Sequence, residues 1–105
     1  MEIILGDWNY VLSFTCENAD GTPFDFTGYT IALKVWKPNA PGTVLLTGVC
    51  TSPSTGLANH TVGQTDFTST NFTIGDFLDA EIQATAVGGG RQTFKFLNIK
   101  ILEAA

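Results

Sequence analysis

From Trp8 to Cys16 the chain alternates: Trp8, Tyr10, Leu12, Phe14 and Cys16 share one parity, and Asn9, Val11, Ser13 and Thr15 take the other. Successive side chains of an extended chain point to opposite faces, so this pattern predicts a half-buried strand with Trp8 on the core side. Tyr29, Ile31, Leu33 and Val35 against Thr30, Ala32, Lys34 and Trp36 predict a second strand, stopped by Lys37-Pro38, with Trp36 facing outward. Pro38 and Pro41-Gly42 supply the next turn. Val44 to Thr51 reads as a strand whose inner face the pattern does not fix, closed by Ser52-Pro53-Ser54-Thr55-Gly56, and Leu57 to Val62 reads as a short one. The clearest alternation sets Leu78, Ala80, Ile82, Ala84 and Ala86 against Asp79, Glu81, Gln83 and Thr85, ahead of a Gly88-Gly89-Gly90 hairpin. In the last strand the apolar parity switches from Phe94 and Phe96 to Leu97, Ile99 and Ile101. A bulge near Phe96 would return both sets to the core. With Glu2 to Leu5 as a first short strand, the expectation is an all-β, immunoglobulin-like β-sandwich of about seven antiparallel strands, residues 1–105 forming one domain.

Two connections do not fit the alternation. Asp20-Gly21-Thr22-Pro23 has turn chemistry, yet Phe24 and Phe26 follow at once, straddling Asp25, before Thr27-Gly28 turns into the next strand. Large aromatics in a connection are expected to plug the core. Gly63 to Gly75 is rich in Thr, Asn and Gly, with Phe67, Phe72 and Ile74 spaced through it, and reads as a long crossing connection whose aromatics cap an open end of the core.

Composition narrows the partners. Five basic against ten acidic residues give a net charge of -5, and the cations are scattered, so nucleic acid is not an expected partner. The start, Met-Glu-Ile-Ile-Leu-Gly-Asp, has no basic n-region and only a three-residue apolar run. It reads as neither a secretion signal nor an anchor, and no stretch approaches a membrane span, so no membrane partner is expected. Cys16 and Cys50 both fall on predicted strands, where a bridge between sheets is geometrically possible. Retention in a reducing cytoplasm favours two half-buried free thiols.

Candidate chemistry is sparse. His60, the single histidine, shares a strand face with Ala58 and Val62 and reads as a core or edge residue in an aromatic-sized position. No nucleophile elbow or phosphate loop is legible, so an enzyme is not the expected class, and no cofactor or metal requirement is expected. Asp76, Asp79 and Glu81, or Glu17, Asp20 and Asp25, suggest calcium only weakly beside the simpler reading of solvated acidic surface. Asn59-His60-Thr61 and Asn71-Phe72-Thr73 match the glycosylation pattern at close to chance frequency. As partner contacts the sequence offers the outward Trp36 and the polar tip Ser69, Thr70 and Asn71 of the long connection.

Taken in order, Gly6-Asp7, the stretch ADGTPFDFTGYTIALKVWKP, Gly56 opening a strand that ends in Thr61-Val62, Thr65-Asp66-Phe67, LDAEIQATAVGGG and a Phe-rich last strand resemble the small sandwich domain of the phage baseplate upper protein family and related tailed-phage virion domains. The likeness covers nearly the whole chain, and its distinctive part is the Asp-Gly-x-Pro-x-Asp-Leu-Thr-Gly corner. Phe26 stands where the family usually has Leu, Leu78 where it usually has Tyr, and His60 where it often has an aromatic. The resemblance implies a structural virion protein acting as a docking or assembly module: baseplate, collar or tail-fibre adaptor, or capsid decoration. It implies other phage structural proteins as partners, a symmetric homo-oligomer, a place in the virion after assembly in the host cytoplasm, and no cofactor. The alternative is a carbohydrate-binding or adhesin-type module, which needs exposed coplanar aromatics beside Trp36.

Overall fold

In the computed structural model, which describes residues 1–40 and 42–103, alternation becomes seven strands: β1 (Glu2–Ile4), β2 (Val11–Thr15), β3 (Tyr29–Trp36), β4 (Leu46–Cys50), β5 (Leu57–Thr61), β6 (Phe77–Ala86) and β7 (Arg91–Leu102). The fold is all-β: a curled five-stranded sheet in the order β1-β7-β6-β3-β4, and a separate two-stranded sheet of β2 and β5. One correction concerns strand direction. All neighbours are antiparallel except β1, which runs parallel to β7 in the register Glu2↔Lys100 and Ile4↔Leu102. Periodicity identifies a strand but not its partner. The predicted turn at Pro38 and Pro41-Gly42 is described only in part, Pro41 lying outside the described residues.

The core lies between the two sheets. Ile31, Leu33 and Val35 of β3, Leu78, Ala80, Ile82 and Ala84 of β6, and Ile99 and Ile101 of β7 face Leu12 and Phe14 of β2 and Ala58 of β5, all buried. Phe67 and Phe72 from the 63–75 connection close one end of it, their rings 5.2 Å apart, as expected, while Ile74 of the same connection is exposed.

Two residues in left-handed conformation account for the main departures from the alternation. Asn9 at φ 64° breaks the extended chain ahead of β2, so the strand begins only at Val11 and the parity of Trp8 does not carry through. Trp8 is 53% exposed and is not a core residue. Asn98 at φ 60° forms the bulge: Leu78 opposes Ile99 and Ala80 opposes Phe96, so Asp79 faces both Leu97 and Asn98. The Asn98 amide donates to Asp79 Oδ1 at 3.2 Å, which fixes the bulge. Phe96, Ile99 and Ile101 therefore all turn toward the core, whereas Leu97 does not: it is 62% exposed. In β4, shorter than the Val44–Thr51 expectation, Gly48 and Cys50 face in and Val49 faces out.

Candidate functional site

The single histidine is spent on the fold. β5 carries His60 on its inner face beside Ala58, and the imidazole spans from β4 to the 63–75 connection. Its Nδ1 lies 2.9 Å from the Val49 carbonyl. A carbonyl only accepts, so Nδ1 carries a hydrogen and donates it. Its Nε2 lies 2.7 Å from Asp66 Oδ2, the same oxygen that accepts the Gly63 amide at 2.8 Å. The ring lies against Gly48, where a Cβ would come within 2.5 Å of Cε1, so only glycine admits the imidazole. Backbone bonds between Thr51 and Asn59 in both directions, 2.9 and 2.7 Å, complete the seam between β4 and β5. The expected core position of His60 is observed, while Asp66 as its partner was not foreseen. The available signal was Gly48, a glycine inside an otherwise regular strand.

The aromatic corner has an equally local logic. Asp20 accepts the Thr22 amide at 3.0 Å and the Thr22 hydroxyl at 2.6 Å, and Asp25 repeats this with Thr27 at 3.0 and 2.7 Å. The same Asp-x-Thr turn thus occurs twice in succession. The threonine hydroxyls, followed by the amides, hold both carboxyls below their ordinary range. Between the two turns Phe24 is driven inward, where its ring meets Phe26 at 4.9 Å, Phe94 at 5.0 Å and Tyr29 at 5.2 Å. These aromatics belong to the core, as the sequence suggested.

Cys16 and Cys50 are buried free thiols. Burial pushes both up to about 11, the proximity of Cys50 adding to the effect on Cys16. A thiol with a raised value in the folded chain stabilises the fold below its unfolded value of 9.0, and that contribution is lost as pH rises from there toward about 11. Native protein is therefore expected to react with a thiol reagent at pH 8 on the order of a hundredfold more slowly than unfolded protein, and to lose thermal stability above pH 9. Equal labelling rates in the two states would refute this.

What the molecule exposes is more distinctive. Trp36 ends β3 on the outer face of the large sheet, half-buried, opposite Asp79. On the far side of Asp79 stands the bulged Leu97, and two residues earlier along β6 on the same face is Phe77, 47% exposed. An indentation of about 300 Å³ lined by Lys37, Pro38, Asn39, Asp76 and Phe77 adjoins them. Strand direction puts the 63–75 connection at this same end, since it leads from β5 into β6. Its tip, Ser69, Thr70 and Asn71, is exposed between the anchored Phe67 and Phe72. Trp36 and the Ser69–Asn71 tip thus share one end of the fold, with Phe77 and Leu97 added by the structure. Further along the face the register sets Lys34 beside Glu81 and Glu81 beside Lys95, an alternation of charge across three strands. An open groove of about 680 Å³, lined by Thr30, Thr51, Ser54 and Thr55 among others, lies at the opposite end of β3.

Other expectations resolve as follows. Asp79 is engaged by the bulge, and Asp20 and Asp25 by their threonines; among the described residues no group of three or more His, Cys, Asp or Glu side chains is placed to hold a metal ion. No helix of the described residues is long and apolar enough to cross a membrane. The ring pairs of the described residues are interior ones, and none includes Trp8 or Trp36. No family model matches the chain, and no curated protein matches it.

Proposed function

We propose that this chain is a protein–protein docking module, an immunoglobulin-like sandwich that serves as a repeated structural subunit of a tailed-phage particle. The observation that carries the docking role is the apolar group around Asp79 at one end of the outer sheet face, Phe77 and Leu97 exposed and Trp36 half-buried. Such a patch, rimmed by Lys37, Asn39 and Asp76, has the make-up of a contact surface, an apolar centre inside a polar border. Its side chains stand on strands and on a bulge fixed by Asp79, so they are presented rigidly and lose little freedom on binding. The phage setting rests on the resemblance of the DGTPFDFTG corner and the AEIQAT strand. The tandem Asp-x-Thr turns give that corner a physical reason to keep its residue types, since each carboxylate and hydroxyl is used. A subunit repeated by symmetry needs only moderate contacts, because each is multiplied. The alternative, a sugar-binding platform, is disfavoured because no ring of the described residues pairs with Trp36.

Quantitative mass spectrometry of purified particles tests the proposal: several to hundreds of copies per virion are expected. In the same preparation, a variant with Trp36→Ser and Leu97→Ser should fold normally yet be depleted from particles. Wild-type protein found free in lysates and missing from particles would overturn the reading.

A further inference from the structure

The edges of the two sheets are not treated alike. β4 and β5 are sealed to one another by the Thr51–Asn59 bonds and by His60 on the Val49 carbonyl. β1 is capped where the Ile4 amide donates to the Tyr10 hydroxyl at 3.3 Å. β2 is left. Among the described residues it pairs only with β5, through Leu12↔His60 and Phe14↔Ala58, and the flanking bonds of Tyr10 to Val62 and of Cys16 to Gly56 show that its even-numbered residues turn their backbone toward β5. In an antiparallel ladder the intervening residues turn theirs the other way. The amides and carbonyls of Val11, Ser13 and Thr15 therefore line a free edge.

That edge carries none of the usual protections: Val-Leu-Ser-Phe-Thr has no charge, no proline and no bulge. We propose that it pairs with β2 of a second copy of this chain, antiparallel about a two-fold axis at Ser13. Self-pairing is favoured by the sequence of the strand itself. About that axis Val11 faces Thr15 of the other copy, Leu12 faces Phe14, and Ser13 faces Ser13. Each side of the ribbon then matches β-branched with β-branched and large apolar with large apolar. Continuing outward, Asn9 meets Glu17, so no like charges oppose each other, which matters for two chains of net charge -5. Each outward residue exchanges two backbone bonds with its opposite, and two minimal two-stranded sheets merge into one of four, a size that is stable where a lone ribbon is marginal. The short side chains Val11, Ser13 and Thr15 offer no pocket to read a foreign peptide. The pairing stands whether or not the chain belongs to a virion.

Sedimentation equilibrium of the purified chain should show a monomer–dimer equilibrium with a dissociation constant of roughly 1 μM to 1 mM, as suits a small interface. Ser13→Pro removes an amide that faces away from β5, so the fold should survive while the dissociation constant rises at least about tenfold. Ser13→Lys and Ser13→Glu place like charges on the axis: each alone should be monomeric, and an equimolar mixture should restore a dimer. This pair carries the test if the proline variant does not fold. A wild-type chain monomeric at about 1 mM, or a dimer indifferent to the charge pair, would overturn the proposal.

Discussion

Gly48→Ala is expected to destabilise the protein by about 3–4 kcal/mol. The new Cβ would fall 2.5 Å from His60 Cε1 and 2.8 Å from Nδ1. The ring cannot yield outward, because Val49 and Asp66 hold it from both sides. Displacing it strips a donor from the Val49 carbonyl and a 2.7 Å partner from Asp66, which is itself mostly buried, and an abandoned buried acceptor costs about 1–3 kcal/mol. His60→Ala should cost a similar amount, about 3 kcal/mol, by vacating the same volume and the same bonds. The double variant separates this account from general strain. With the imidazole gone, the added methyl group has room, so Gly48→Ala should then be nearly neutral, a coupling of at least about 2 kcal/mol in urea unfolding. Additive losses would mean that ring and glycine do not interact.

The second large effect is expected at Phe24. Its ring is the centre around which Phe26, Tyr29 and Phe94 are arranged, so Phe24→Ala removes three aromatic contacts and opens a void at one end of the core. A loss of about 3–5 kcal/mol follows, with a fall in Tm on the order of 15 °C. Phe24→Leu should recover more than half of it, because most of the loss is volume. A Tm within about 3 °C of wild type for Phe24→Ala would show that the corner does not plug the core.

Where the backbone stays extended, the alternation was sufficient. β3 and β6 were legible nearly to their last residues, and the outward side of Trp36 with them. It failed at Trp8 and Leu97 because a single residue at positive φ, Asn9 or Asn98, resets the parity, and asparagine announces that conformation less plainly than glycine does. The bulge itself was foreseeable from the switch of apolar parity, but which residue it would expel was not. Phe77 has the outward parity of Asp79 and Glu81, but its exposure also depends on what fails to cover the end of the sheet. The bond between His60 and Asp66 depends on a turn that brings residues 63 to 66 back over β5, a tertiary event. The parallel pairing of β1 with β7 is also tertiary, joining the first strand of the chain to the last.

That last pairing gives the domain a mechanical character. β1 and β7 lie side by side in the same direction, with Glu2 beside Lys100 and Ile4 beside Leu102. Tension that draws Glu2 one way and Leu102 the other runs along both strand axes, so the bonds between them bear load together in shear and none can be peeled open ahead of the rest. A domain gripped through these two strands would transmit force through this short ribbon as a rivet does, while the rest of the sheet behind it went almost unstretched.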